Sequence, residues 1–276
     1  MRLLVSVRAA AEVPLALAGG ADIIDAKEPA RGSLGAVEPE VLRAIAALVP
    51  PTVPLSVALG DFATMAVAVD AVRKALAVLD ACPHHAALYL KLGFAGERSP
   101  DVVSRVIGAA LEAAGATPVR PTVVPVAYAD HENAGSPEPE DVLSAAIGAG
   151  ARAFLVDTWS KTGRGLSSYI DAHRLRALAD AARSSGMLVA IAGGLDADAL
   201  DRLDRIADVV GVRGAACRGG RDGSVDAALV RGLAERLRPR STQSRLRGER
   251  LRSTQRDDRA RSALLAERED EGAGGP

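Results

Sequence analysis

Two lysines stand where apolar strands should run. Lys27 closes "IIDAK", and Lys91 sits inside "ALYLKLG". Asp25 lies two residues before Lys27, and the alternation of a strand puts both on one face. Leu90 and Leu92 flank Lys91; if they face outward, the lysine faces inward. Other polar groups follow other strand-like runs: Arg8 after "LLVSV", Asp61 after "PLSVAL", and Asp130 with His131 after "TVVPVAY". Asp157 and Lys161 end the series at "AFLVDTWSK". A desolvated lysine has a depressed pKa, and a second lysine nearby lowers it further. The freed amine is a nucleophile toward carbonyls. Aspartates balance the charge and shuttle protons. Two interior lysines with aspartates therefore point to carbonyl chemistry through a Schiff base.

Each group also has a plainer reading. Lys27 or Lys91 alone fits a buried ion pair. Lys161 fits an exposed loop lysine, and Asp157 a loop cap. Asp130 and His131 suit loop shaping better than catalysis. Arg8 fits an anion contact or a salt bridge equally well. The joint appearance of these groups at strand ends is what favours a site.

Glycines carry a second signal. "AGG" (192–194) follows one strand-like run and "GAACRGG" (214–220) follows another. Glycine lets a backbone approach an anion closely. Gly193, Gly194, Gly214 and Ala215 are the expected phosphate-binding positions, although both stretches also read as ordinary turns. "RGGRDG" (218–223) reads as a plain surface loop despite its arginines. Lysines and glycines together predict a phosphorylated carbonyl substrate. No His/Cys/Asp cluster suggests a metal, and no cofactor is expected.

The elements that must position these groups recur regularly. Strands are expected over 3–7, 23–27, 54–59, 87–93, 122–128, 153–157, 188–193 and 209–213. Runs this short and apolar suit parallel strands covered on both faces. Helical spacing marks 38–48, 63–79, 100–115, 139–150, 167–186 and 224–237, the last two with serine as N-cap. Strand-then-helix alternation gives a parallel sheet. Eight repeats predict an α/β fold of the closed (β/α)8, or TIM-barrel, type. An open doubly wound sheet is the competing architecture, but "VSVRAAAE" lacks its glycine-rich turn.

The chain has 276 residues, 48% of them apolar and only 3% aromatic, so an ample core must be aliphatic. A net charge of −1 gives no general attraction to nucleic acid. No run reaches the roughly 18 apolar residues of a membrane span. Arg8 and Glu12 interrupt the apolar N-terminus, and no cleavage pattern follows. Cys82 and Cys217 fit no metal or redox spacing and read as reduced thiols. The expectation is a cytoplasmic protein. Residues 1–238 form the expected catalytic domain. Residues 239–276 are dense in charge, repeat "RSTQ", and read as a disordered or partly helical tail rather than a basic arm.

"LLVSVR", "GGADIIDAKEP", "GSLGA", "YLKLGF", "LVDTWSKTGRGL", "AIAGGL" and "GVRGAAC" resemble the (5-formylfuran-3-yl)methyl phosphate synthases. Their older name is 4-(hydroxymethyl)-2-furancarboxaldehyde phosphate synthase. The resemblance covers roughly residues 1–238. It implies a TIM-barrel lyase that condenses two molecules of glyceraldehyde 3-phosphate into one furan aldehyde phosphate, losing phosphate and water. The product would serve methanofuran or methylofuran, which carry one-carbon units. By motif, Lys27 would be the Schiff-base lysine, Asp25 its neighbour and Lys91 the proton-moving lysine. Asp157 and Lys161 match the family's pair four residues apart. The resemblance also favours phosphate binding near Gly194 and Gly214. Two departures stand out: Thr162 where an acidic residue is usual, and Ala26 where valine is usual. A class I aldolase, a barrel decarboxylase and a non-catalytic phosphate-binding barrel are the competing functions. Barrels often associate, so a homo-oligomer is an allowed state.

Overall fold

A computed structural model describes residues 1–82, 85–161, 164–203 and 206–238. Eight strands run parallel and close on themselves in chain order: β1 (Arg2–Val7), β2 (Ile23–Ala26), β3 (Leu55–Asp61) and β4 (Leu88–Gly93). They continue as β5 (Thr122–Tyr128), β6 (Ala153–Asp157), β7 (Leu188–Ile191) and β8 (Val209–Val212). The seam is sealed by β8 against β1, with Val212 opposite Val5. The open doubly wound sheet is thereby replaced by the barrel. Every expected strand is present. The second ends one residue short of Lys27, and the seventh stops before the glycines.

Helices lie between strands. They are α1 (Val13–Gly19), α2 (Pro39–Leu48), α3 (Met65–Leu79), α4 (Pro100–Gly115), α5 (His131–Ala134) and α6 (Pro139–Gly148). After them come α7 (Ala172–Ser184), α8 (Ala197–Arg202) and α9 (Ala227–Leu237). Two expected serine caps are wrong. Asp171 accepts from Arg174 N at the start of α7, while Ser167 and Ser168 stay in a preceding 3-10 turn. Asp226 accepts from Ala228 N and Leu229 N at the start of α9. Ser224 instead joins a hairpin, β9 (Cys217–Arg218) with β10 (Ser224–Val225). A carboxylate offers a full charge to the first-turn N–H groups, and a serine does not.

Met1–Leu237 form one compact unit. Its larger apolar cluster lies between sheet and helices and includes Leu90 and Leu92, as the outward leucines require. A smaller cluster fills part of the barrel's interior with Leu34, Val124, Val126, Tyr128 and Leu155. Tyr128 donates to Asp61 at 2.7 Å, and Ala95 N donates to the same oxygen at 2.9 Å. Gly93 makes room for this pair: a Cβ there would stand 2.2 Å from Asp61 Oδ1 and 2.4 Å from Tyr128 Oη. Both thiols are free. No helix among the described residues is long and apolar enough to cross a membrane. The tail expected over 239–276 and the departure at Thr162 lie outside the described residues.

One buried ion pair braces the seam. Arg213 follows β8, and Glu12 lies in the 3-10 turn after β1. Arg213 Nη1 meets Glu12 Oε2 at 2.6 Å, and Nη2 meets Oε1 at 3.1 Å. Nη1 also donates to Ser6 O at 3.0 Å, and Nη2 to Gly223 O at 2.7 Å. Removing one partner strands the other charge in the core. Replacing Arg213 with Met should therefore lower unfolding stability by about 3–5 kcal/mol, measured by urea denaturation. An unchanged midpoint would mean that the pair does not hold the seam.

Candidate active site

Strand alternation delivers the site. Ser6, Asp25 and Ser56 are register partners on β1, β2 and β3, all buried and all on the cavity wall. Lys91 enters from β4 and Asp157 from the end of β6. Lys27 follows β2, its backbone still held by Val7 O at 3.0 Å. The cavity they line measures about 310 Å³. All nine sequence-chosen positions border it: Asp25, Lys27, Lys91, Asp157, Lys161, Gly193, Gly194, Gly214 and Ala215. Arg8, Asp61, Asp130 and His131 do not. Asp130 shapes the next loop, accepting from Trp159 N and Ser160 N at 2.7 and 2.8 Å.

The charges pair unequally. Lys91 Nζ lies 2.8 Å from Asp25 Oδ2 and 2.7 Å from Oδ1, and Ser6 Oγ donates to Oδ2 at 2.7 Å. Oδ1 is outside hydrogen-bonding direction and accepts from no described group. Lys161 Nζ meets Asp157 Oδ1 at 3.0 Å and also bonds Thr158 O. Ser33 reaches across from the loop after β2 to Thr158 O at 2.8 Å and, at 3.3 Å, to Asp157 Oδ2. Both aspartates are thus occupied by other lysines. Lys27, only 6% exposed, has no hydrogen bond or ion pair among the described residues.

Burial lowers the Lys27 pKa to about 7, and the Lys91 charge adds to the effect; Asp157 and Asp25 oppose it. Burial by itself would raise the two aspartates. The charges of Lys91 and Lys27 overcome it and hold Asp25 below its usual range. Lys161 and Lys27 likewise hold Asp157 at about 2. The result is an amine that is about half deprotonated at neutral pH, between two ionised carboxylates. Such an amine can add to a carbonyl.

The glycine loops close another wall. Gly193 and Gly194 have φ of +107° and +61°. A Cβ on Gly193 would press on Thr158 at 3.0 Å. Their N–H groups donate to no described acceptor. Gly214 and Ala215 open a 3-10 turn beside them on the same cavity. Sequence reasoning missed Ser6, Ser33 and Ser56. Ser6 and Ser56 carried a signal, since each lies on the inward face set by its strand; Ser56 Oγ is buried without a partner. Among the described residues no group of three or more His, Cys, Asp or Glu is clustered as metal ligands would be.

A sequence profile described as 4-HFC-P synthase matches residues 3–234. The chain belongs to this family. A (5-formylfuran-3-yl)methyl phosphate synthase of Methanothermobacter thermautotrophicus is 36% identical over 244 residues, covering 86% of this chain and 99% of the relative. The enzyme of the same name from Methanopyrus kandleri is 37% identical over 243 residues, covering 86% and 98%. This member of the 4-HFC-P synthase family is accordingly an enzyme. Solved structures extend the likeness in fold alone. A 3-hexulose-6-phosphate synthase superposes with a TM-score of 0.54 at 16% identity, covering 86% of this chain and all (100%) of that one. A phosphoribosyl anthranilate isomerase from Thermus thermophilus gives 0.52 at 17%, covering 86% and 98%.

A depressed lysine pKa has two measurable consequences. Amine-selective labelling of Lys27, followed by peptide mass spectrometry, should be half-maximal near pH 7. Lys91→Met should move that midpoint upward. A wild-type midpoint near 10, the ordinary lysine value, would overturn the assignment. Folded Lys27 also holds its proton more weakly than unfolded lysine. Its cost to stability is therefore full below about pH 7 and fades as pH rises toward 10.5. Lys27→Met should stabilise the fold most below pH 7, by a few kcal/mol at about 1.4 per pKa unit, with the gain shrinking above.

Proposed function

We propose that this enzyme condenses two molecules of glyceraldehyde 3-phosphate into (5-formylfuran-3-yl)methyl phosphate, with loss of one phosphate and two waters. The observation that carries the reading is the unpaired Lys27 amine, with its pKa of about 7, in a cavity beside the Lys91–Asp25 pair. Membership of the 4-HFC-P synthase family supports this reading.

Lys27 adds to the aldehyde carbon of one triose, and water leaves as the imine forms. The protonated imine acidifies the neighbouring carbon. Lys91 and Asp25 take that proton and return it to an oxygen later in the sequence; Asp25 Oδ1 is the free acceptor. The second triose eliminates its phosphate, and the enamine carbon bonds the terminal carbon so exposed, while that triose keeps its aldehyde as the formyl group. Asp157 and Lys161 orient this second molecule and protonate departing oxygens. The enol oxygen of the second triose then closes the ring on the imine carbon. The hydroxyl of the first triose leaves as the second water, and the lysine departs as a free amine, leaving an aromatic ring that makes the sequence irreversible. Unbonded N–H groups of Gly193 and Gly194, with those of Gly214 and Ala215, receive a phosphate. The catalytic unit spans residues 1–238 and works in the cytoplasm, where triose phosphates are made. Its product supplies a methanofuran-type one-carbon carrier.

Borohydride added during turnover, with peptide mass spectrometry and ultraviolet detection of a furan, tests this directly. The expected result is a reduced adduct on Lys27 and a furan chromophore, with turnover falling on the order of a thousandfold or more in Lys27→Ala. An adduct without furan would identify an aldolase. Phosphate binding with neither adduct nor product would identify a non-catalytic barrel.

A further inference from the structure

Two arginines of the β8 loop line the cavity, and their donors are used differently. Arg213 spends its guanidinium on the protein. Beyond Glu12, Ser6 and Gly223, its Nε donates to Arg221 O at 3.1 Å. It is a brace and has nothing left for a ligand. Arg221, which sits between β9 and β10, differs. Its Nη2 donates to Gly32 O at 2.8 Å and to Pro29 O at 3.2 Å, both in the loop after Lys27. Nε and Nη1 meet no described acceptor, and no described carboxylate forms an ion pair with Arg221. A guanidinium has five N–H donors in a planar fork. Three remain unused here, on a half-buried side chain at a cavity wall.

The carboxylates that act on it, Asp157, Asp222 and Glu28, do so without an ion-pair contact among the described residues. Burial lowers the Arg221 pKa, and Asp157, already paired with Lys161, gives the largest opposing effect. The backbone of Arg221 packs against Gly214: a Cβ there would lie 3.6 Å from Arg221 N. From this anchor beside the β8 glycine loop the side chain lines the cavity and its guanidinium reaches the loop after Lys27.

We propose that Arg221 binds a substrate phosphate through its Nε–Nη1 edge, completing the site opened by the glycine loops of β7 and β8. The substrate class rests on the function proposed above. Arg213 and Glu12 hold the hairpin that carries this arginine, and the carbonyls of Pro29 and Gly32 aim it. A fork of N–H donors suits an oxyanion better than a point charge does.

The test uses the full chain with inorganic phosphate by calorimetry, and with glyceraldehyde 3-phosphate in turnover. Arg221→Met should weaken phosphate binding by about tenfold or more, the loss of a charge-assisted hydrogen bond. KM should rise by a similar factor while kcat changes little. Arg221→Lys should recover part of the affinity, and it guards against a Met variant that folds poorly. Borohydride trapping of unphosphorylated glyceraldehyde on Lys27 should be unaffected. Wild-type phosphate affinity in Arg221→Met, with kcat reduced, would overturn the proposal and make Arg221 a strap for the Lys27 loop. The phosphate titration needs no furan to form. If the wild-type protein makes no furan but its phosphate affinity still depends on Arg221, the proposed function fails and this assignment stands.

Discussion

Lys91 and Asp25 neutralise each other, and Lys27 is left alone. Three lysines and two aspartates share one desolvated wall, so one cation must lack a partner. Lys161 takes Asp157 in the same way. A buried ion pair is weak evidence for stability, because desolvation cancels much of its attraction. Its value here is to hold each carboxylate ionised and close to Lys27 without quenching it. Ser6 fixes Asp25 from the neighbouring strand, and Ser33 fixes Asp157 from across the mouth. The amine then loses its proton near neutrality because water is excluded and another ammonium stands nearby.

The barrel interior is divided to suit this. On the β4–β5 side, Tyr128, Leu34, Val124 and Val126 fill the space, and Gly93 yields to the Asp61–Tyr128 hydrogen bond. Burial raises the pKa of Asp61, and that of Tyr128 rises well above its usual value. These groups act as packing with satisfied polar tips. On the β7–β8 side, Ala190, Ala192 and Gly211 are short, and the cavity opens there. The room in the cavity comes from side chains that are small on one side of the wall and large on the other.

Much of this was legible in the sequence because it depends on local rules. Alternation alone turned Asp25 and Lys91 inward and sent Leu90 and Leu92 outward. Short apolar runs separated by helical spacing marked every barrel strand. What remained hidden depends on partners far along the chain. Nothing near Arg213 reveals Glu12, and nothing near Arg221 reveals the carbonyls of Pro29 and Gly32. "RGGRDG" reads as surface until the hairpin folds over the mouth. The serine caps failed for a nearer reason: Asp171 and Asp226 stand closer to the first turns of α7 and α9 than the serines do.

The Glu12–Arg213 brace also bears on how the chain is made. The two residues are 201 positions apart. A ribosome releases Glu12 long before its counter-ion exists, and a bare carboxylate stays hydrated rather than enter a core. The first strand therefore cannot be sealed until Arg213 has been made. Middle repeats can pack on one another early, since each touches its neighbours in chain order. The last event is the meeting of the two ends. That event also fixes the Ser6 carbonyl through Arg213, so catalytic competence arrives only when the whole barrel has been translated.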